Sequence, residues 1–363
     1  MEERKPVVKG DPSAKILALI NQDQTPLKFT YHDLDVESLR DAAGKFTDPD
    51  FPHNVNSIGP KPYDVEVEWK RASDFLAPGF KIFDGKIEAI DIKQGRLGDC
   101  YFLSSLCSSS GQPQIIERLI ETTKANQEGC YAIWLFIDGL WKCVVVDDGF
   151  PTHANTPIFS QNNGPELWVM LFEKAYAKVF GSYQGIESGL TGIALNSLTG
   201  APYEFSNRDS KTPAEVEKTW AFIIKHHSQG HLLTGSTEKS DRNEYFGLVS
   251  KHAYTILQAE EVSVGGGKER LLKMVNPWGK GEWNGKWSDQ SDVWTPELKS
   301  QLGYSDADDG QFWINIDDFV SNFGQACACK YKPHYKSTSM SFNFSANIEK
   351  YPLSDAASSR QCT

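Results

Sequence analysis

The chain has 363 residues, of which 39% are apolar, 12% aromatic and 23% charged, a soluble globular balance in a length that exceeds one usual hydrophobic core. A formal net charge of -11 argues against nucleic-acid binding, because phosphate contacts need a basic face. No apolar run is long enough to span a membrane, and no signal-like region follows Met1-Glu2-Glu3-Arg4-Lys5. Seven cysteines, an odd number without a secretion signal, point to a reducing, cytoplasmic setting.

Residues 1–45 read as an N-terminal extension, with short helices expected over Ala14–Asn21 and Asp33–Lys45. A compact region begins near Phe46, where Phe46-Thr47-Asp48-Pro49-Asp50-Phe51-Pro52 alternates aromatic residues with turn formers. A buried helix is expected after Cys100, with Leu103, Leu106 and Cys107 at helical spacing, and another over Ile115–Thr123. Tyr131–Ile137 and Trp141–Val146 read as paired strands around the Asp138-Gly139 hairpin signal. Pro165 is expected to open a helix to about Phe180, whose apolar stripe (Leu167, Trp168, Leu171, Phe172, Ala175, Tyr176) is core packing. A boundary is placed near Gly200-Ala201-Pro202. Beyond it Thr212-Pro213-Ala214-Glu215 is a capping box that starts a helix. Strands then dominate: His231–Leu233, His252–Gln258, Leu271–Asn276 and Phe312–Ile316, with Gly265-Gly266-Gly267 as a hairpin loop. Cys327-x-Cys329 lies in a strand-like run without a second pair at zinc spacing and reads as structural. Residues 336–363 form a serine-rich tail. The division is therefore a helix-rich region over 46–200 and a strand-rich one over 201–335, with a site expected in the cleft between them.

The chemistry begins at Gln94-Gly95-Arg96-Leu97-Gly98-Asp99-Cys100. A thiol on the first helical turn faces unpaired N–H groups and the positive end of the macrodipole, which favours the nucleophilic thiolate. The Gln94 amide can donate to a developing oxyanion. Thiol catalysis also needs a histidine and a group that orients it. His252 begins an apolar strand, and Asn276, extended by the following proline, stands at a strand end with an oxygen for the imidazole N–H. Trp278 can shield that hydrogen bond. The order Gln…Cys…His…Asn is the papain-like arrangement.

Longer motifs narrow the resemblance. Gln94-Gly95-x-x-Gly98-Asp99-Cys100, Asn276-Pro277-Trp278-Gly279, Glu282-Trp283-x-Gly285-x-Trp287-Ser288-Asp289 and Asp309-Gly310-x-Phe312-Trp313 resemble the calpain family, from about Phe46 to Tyr331. The resemblance implies an α+β, papain-like two-lobed cysteine protease with a helix-rich first lobe and a β-rich second lobe. It makes Cys100 the nucleophile, His252 the general base and acid, Asn276 the orienter, and Gln94 the oxyanion donor alongside the Cys100 backbone N–H. It also implies limited cutting of intracellular proteins and control by calcium, and leaves a regulatory subunit open. Two residues depart from the family pattern: Tyr101 stands where tryptophan is usual, and Lys251 where glycine commonly precedes the histidine.

The same resemblance places one calcium site in each lobe. The first would use Asp91, the carbonyls of Phe83 and Gly85, and Gln184 in place of a glutamate. The second would use Glu282, Asp289, Asp309, the Ala307 carbonyl and Gln311, again in place of a glutamate. Each site thus loses one carboxylate, which weakens it without removing an oxygen donor. Two other readings stay open. One is a catalytically silent scaffold or binding protein of this family; the other is acyl transfer by a Cys-His-Asp site, which Asn276 fits less well.

Overall fold

The structure is a computed structural model and describes residues 39–333 except 42, 43, 162 and 209. The expected helix at Ala14–Asn21, most of the one at Asp33–Lys45, and the tail 336–363 lie outside the described residues. The described end of Asp33–Lys45 is a turn, closed by a Lys45 N–H donating to Asp41 Oδ1 at 3.0 Å, and not a helix.

The strands, in chain order, are β1 (Glu68–Arg71), β2 (Cys130–Ile137), β3 (Leu140–Asp147), β4 (Gly149–His153), β5 (Thr156–Pro157), β6 (Tyr203–Asn207), β7 (Leu232–Thr237), β8 (Ala253–Val264), β9 (Gly267–Val275), β10 (Gln311–Asn315) and β11 (Phe323–Cys329). Four helices matter for the site: α1 (Cys100–Ser110), α2 (Trp168–Val179), α3 (Thr191–Thr199) and α4 (Pro213–Ser228). The class is α+β. A fully antiparallel six-stranded sheet runs in the order β10-β9-β8-β7-β11-β6; β1-β4-β5 and the β2–β3 hairpin form two smaller sheets.

Strand periodicity explains how the large sheet is covered. Side chains alternate across a strand. Leu232, Ala253, Val275, Cys327 and Cys329 therefore join the core that contains α1, α2 and α3. Their neighbours Leu233, Tyr254, Met274, Ala326 and Ala328 join a second core with Trp220 and Ile223 of α4 and with Phe319 and Val320. The sheet is thus packed on both faces. A third cluster gathers Trp287, Trp294, Trp313, Leu298 and Leu302, which accounts for three of the chain's ten tryptophans as packing residues. Cys327 and Cys329 are free thiols buried on the α3 side.

Local signals explain most element ends. Asp138 (φ 55°) and Gly139 (φ 78°) make the left-handed turn of the β2–β3 hairpin. Thr212 caps α4 by accepting from Glu215 N–H, with Pro213 in the first turn. Two expectations are corrected. The helix expected from Pro165 begins at Trp168, because Pro165 O accepts from Lys81 N–H at 2.8 Å and Glu166 bridges Lys81, which keeps both residues out of the helix. The helix expected over Ile115–Thr123 covers Gln114–Leu119, because Ile120 bridges Ile133 of β2.

Beside α2 the fold holds an ion pair with no exposed side-chain surface. Lys174 Nζ lies 2.6 Å from Asp147 Oδ1 and 2.5 Å from Gly149 O. His53 Nε2 meets the same carboxylate oxygen at 2.8 Å, and the rings of Trp69 and Phe150 flank the ammonium at 5.5 and 5.4 Å. Burial alone would raise the Asp147 pKa, yet Lys174 and His53 hold it well below the usual carboxylate range. Removing one partner leaves a buried charge unpaired. Lys174→Ala should destabilise the protein by roughly 3–5 kcal/mol, read as the loss of unfolding free energy in urea.

Candidate active site

His252 immediately precedes β8 and Asn276 immediately follows β9, so the antiparallel pairing of these strands brings them to one end of the sheet. His252 Nε2 lies 2.8 Å from Asn276 Oδ1. The orientation of the Asn276 amide is set by its other contacts. Its Nδ2 donates to Lys280 O at 2.9 Å and to Gly281 O at 2.8 Å, and its Oδ1 also accepts from Trp278 N–H at 3.1 Å. With both amide hydrogens committed, only the oxygen can face the imidazole, so Nε2 carries the proton and Nδ1 is left as the base. Gly310 (φ 82°) permits this turn: Asn276 N–H donates to Gly310 O at 2.9 Å, and an added Cβ would fall 2.8 Å from Asn276 O. The Trp278 ring lies 5.1 Å from the His252 ring while keeping 38% of its own surface exposed, so it covers part of the imidazole.

Cys100 is the first residue of α1 and is half-buried. Hydrogen bonds tie the helix it opens to the strand that follows His252. Ser104 Oγ donates to Ala253 O at 2.7 Å, and Thr255 Oγ1 donates to Ser104 O at 2.7 Å. The Cys100 thiol meets the backbone of Ala253, the residue after His252, as well as the N–H groups of Tyr101 and of Cys100 itself. The thiolate expected at a helix start is not the resting form. Burial pushes the Cys100 thiol up to about 11, and those backbone contacts only partly offset it. Burial likewise brings His252 down to about 4, against its hydrogen bond to Asn276. Desolvation exceeds the helix-end contribution of roughly 0.3–1 kcal/mol, so thiol and imidazole are both neutral in this conformation.

Gln94 is tied to the same region, since its backbone N–H donates to Pro277 O at 2.9 Å. Gly95 lets the loop pass close to the neighbouring chain; a Cβ there would lie 2.0 Å from Phe159 O. The Gln94 side chain is turned inward. Its Nε2 donates to Leu97 O at 2.6 Å and lies 3.4 Å from Asp99 Oδ1, while its Oε1 is buried without a donor. An oxyanion-donor role therefore requires this side chain to rotate. Tyr101 packs against Gly189, where a Cβ would lie 2.4 Å from the ring. Lys251 takes φ 52°, a conformation glycine adopts freely and other residues adopt at roughly 1 kcal/mol.

The acidic residues gather in two places. Asp91 and Glu166 hydrogen-bond to each other; burial, and for Glu166 the Asp91 charge, push both carboxyls up. Glu166 Oε2 accepts from Asp84 N–H at 3.4 Å, in the loop of Phe83 and Gly85, and Oε1 is buried with no donor. Gln184 does not take part. Its Oε1 accepts from Lys61 N–H at 2.8 Å and its Nε2 donates to Lys61 O at 2.7 Å, so both ends are occupied elsewhere. The partner of Asp91 is Glu166, which sequence reading placed inside a helix; its one signal was a carboxylate between Pro165 and the buried Leu167-Trp168.

In the second place, Glu282 Oε1 accepts from Asp309 and Gly310 N–H at 3.1 and 2.8 Å, and Asp289 hydrogen-bonds to Glu282. Asp309 Oδ1 accepts from Gln311 N–H at 2.9 Å, its Oδ2 from Gln311 Nε2 at 3.1 Å, and its N–H also meets Ala307 O at 2.8 Å. Among the described residues, no three His, Cys, Asp or Glu side chains converge as a ready metal cage. The donor sets nevertheless suit a hard divalent cation: they are all oxygen, they crowd carboxyls together, and the first includes an orphaned carboxylate oxygen.

The assigned tautomer can be tested directly. Nitrogen NMR of His252 at neutral pH should show the proton on Nε2, and Asn276→Ala should admit the other tautomer. An unchanged spectrum in the variant would overturn the assignment.

Residues 46–330 match the sequence profile described as "Calpain family cysteine protease". The calpain-type cysteine protease ADL1 of Oryza sativa subsp. japonica is 36% identical over 310 residues, covering 79% of this chain and 14% of that protein. The calpain-2 catalytic subunit of Mus musculus is 34% identical over 326 residues, covering 84% of this chain and 46% of its own length. Calpain-13 of Rattus norvegicus is 35% identical over 302 residues, with 79% and 45% covered. The chain thus spans less than half the length of these relatives. With the profile covering most of its length, the chain belongs to the calpain family of cysteine proteases.

Proposed function

We propose that this chain is a calcium-responsive cysteine endopeptidase that makes limited cuts in protein substrates in a reducing, intracellular setting. Its working form would be papain-like and two-lobed, with residues 46–200 and 201–335 as the lobes. The observation that carries the reading is the His252–Asn276 hydrogen bond of 2.8 Å, with the Asn276 amide clamped so that Nδ1 of His252 is the free base. In the reaction, Cys100 Sγ attacks the peptide carbonyl carbon as its proton passes to His252 Nδ1. Forming thiolate and imidazolium together lets each charge stabilise the other, which offsets the desolvation that keeps both neutral at rest. The oxyanion takes the Cys100 N–H and, once rotated outward, the Gln94 amide. His252 returns the proton to the leaving amine, and water then releases the acyl group from Cys100. Asn276 holds the imidazole in one orientation throughout.

Asp91 and Glu166, with the loop of Phe83 and Gly85, would hold one calcium ion; Glu282, Asp289, Asp309, Gln311 and the Ala307 carbonyl would hold a second. A bound cation supplies positive charge that lets these crowded carboxyls ionise together. The inward Gln94 and the neutral Cys100 favour, as a second reading, a scaffold that performs no chemistry.

A peptide-based thiol-directed covalent probe separates the two. Labelling of Cys100 that rises with calcium and disappears in Cys100→Ala supports the protease; a folded chain left unlabelled with and without calcium is the scaffold. Calcium should also raise the melting temperature, by the equivalent of about 2.7 kcal/mol at a hundredfold excess over Kd, and less so in Glu166→Gln. An equal rise in wild type and Glu166→Gln counts against the first site. In the active enzyme, Asn276→Ala removes one hydrogen bond to the charged imidazolium. It should lower kcat by about ten- to a hundredfold with little change in KM, measured on a peptide substrate.

A further inference from the structure

Immediately before Cys100 lies a carboxyl pair that the proposed chemistry does not use. Asp99 is fully buried, and its carbonyl accepts from Phe102 and Leu103 N–H at 2.8 and 3.1 Å at the start of α1. Its Oδ1 lies 3.4 Å from Gln94 Nε2, and its Oδ2 has no donor. Glu173 of α2 is buried as well. Ser160 serves both of its oxygens, through N–H at 2.9 and 3.1 Å and through Oγ at 2.8 Å. The Asp99 and Glu173 carboxyls face each other within hydrogen-bonding reach, and two carboxylates, being acceptors only, can join there only around a proton.

No cation among the described residues neutralises this pair. The titratable groups facing it are Cys100 and Tyr101 from α1, Tyr63 from the segment before β1, and Tyr183 after α2. Lys174, next to Glu173 in sequence, is committed to Asp147 and Gly149 O. Three donor contacts from Ser160 favour the charged form of Glu173, whereas the orphaned Oδ2 of Asp99 is the atom that lacks a hydrogen. The proton therefore sits on Asp99.

We propose that Asp99 is a positioning residue for Cys100: it shares one proton with Glu173, which keeps the residue beside the thiol uncharged and ties the Gln94–Cys100 loop to α2. The proposal rests on Cys100 being the nucleophile. Burial raises both carboxyls, and the Glu173 charge raises Asp99 further. For a carboxyl held above its ordinary value the contribution is complete at low pH and lost as pH rises through the raised value. The arrangement therefore fails on the alkaline side, where a second negative charge appears beside the sulfur and opposes thiolate formation.

The test follows iodoacetamide alkylation of Cys100 across pH in the full chain, by peptide mapping. Glu173→Gln keeps an acceptor for Ser160 and offers an amide hydrogen to Asp99, so Asp99 ionises without the shared proton. Alkylation at neutral pH should slow by about tenfold, with its midpoint displaced upward. Asp99→Asn replaces the shared proton with an amide hydrogen, so its midpoint should stay or fall. Displacement of both midpoints in the same direction, or of neither in folded variants, would overturn the proposal. Should Glu173→Gln fail to fold, infrared spectroscopy supplies a second measurement. The wild-type minus Asp99→Asn difference spectrum should contain the carbonyl band of one buried carboxylic acid that titrates above neutrality, beyond the bands that the Asp91–Glu166 and Glu282–Asp289 pairs give in both chains; a difference spectrum without that band would overturn the proposal equally. A chain that cleaves no peptide would show no turnover in any form and would still give these alkylation profiles, so the two failures are distinguishable.

Discussion

The site depends on the hydrogen-bonded seam between α1 and the large sheet. A helix carrying five buried serines would be expensive to bury if their hydroxyls were unpaired. Here two of them become connectors. Ser104 joins Ala253 and Thr255 of β8, and Ser108 Oγ both donates to Leu233 O at 3.2 Å and accepts from Leu233 N–H at 3.1 Å on β7. These bonds set the height of α1 against the strand that His252 precedes. Hydrogen bonds have a direction that apolar packing lacks, so they fix the position of the Cys100 thiol more sharply than Leu103 and Leu106 could alone.

A second theme is the handling of negative charge. The chain is acidic overall, yet several of its acids are paired with one another and not with cations: Asp91 with Glu166, Asp99 with Glu173, and Glu282 with Asp289. In each pair burial and like charge raise the carboxyls, and a proton relieves the repulsion. The fold contrasts these pairs with Asp147, where Lys174 and His53 carry the compensating charge and the carboxylate stays ionised. The first and third pairs lie where a cation would be held in the proposed enzyme. The second abuts the proposed nucleophile, which is why one sequence motif, Gly98-Asp99-Cys100, carries both a thiol and the acid that governs its surroundings.

Sequence patterns made much of this legible, because they act locally. Helix periodicity after Cys100, the Asp138-Gly139 turn and the Thr212-Pro213 cap each constrain only a few neighbouring residues, and each appears as expected. Failures occurred where a distant chain segment intervened. Pro165 begins no helix because Lys81, far away in sequence, claims its carbonyl and the backbone of Glu166. Strand β6, unlike the strand-like run around Cys327 and Cys329 that becomes β11, has no signal of its own and exists because it pairs with β11 at the sheet edge. Gln184 was aligned with a ligand position by resemblance, while Lys61 occupies both ends of its amide.

Residue order and spacing mark the groups available to the site: Gln94, Cys100, His252 and Asn276, on a loop, a helix start and two strand ends. How those groups are held follows from packing across the fold. That packing fixed the Asn276 amide through the carbonyls of Lys280 and Gly281, turned Gln94 inward, paired Asp91 with Glu166 while Lys61 took Gln184, and left the thiol and imidazole neutral. The reason is that tautomer, amide orientation and protonation depend on burial and on partners far apart along the chain, and neither quantity is encoded in residue spacing.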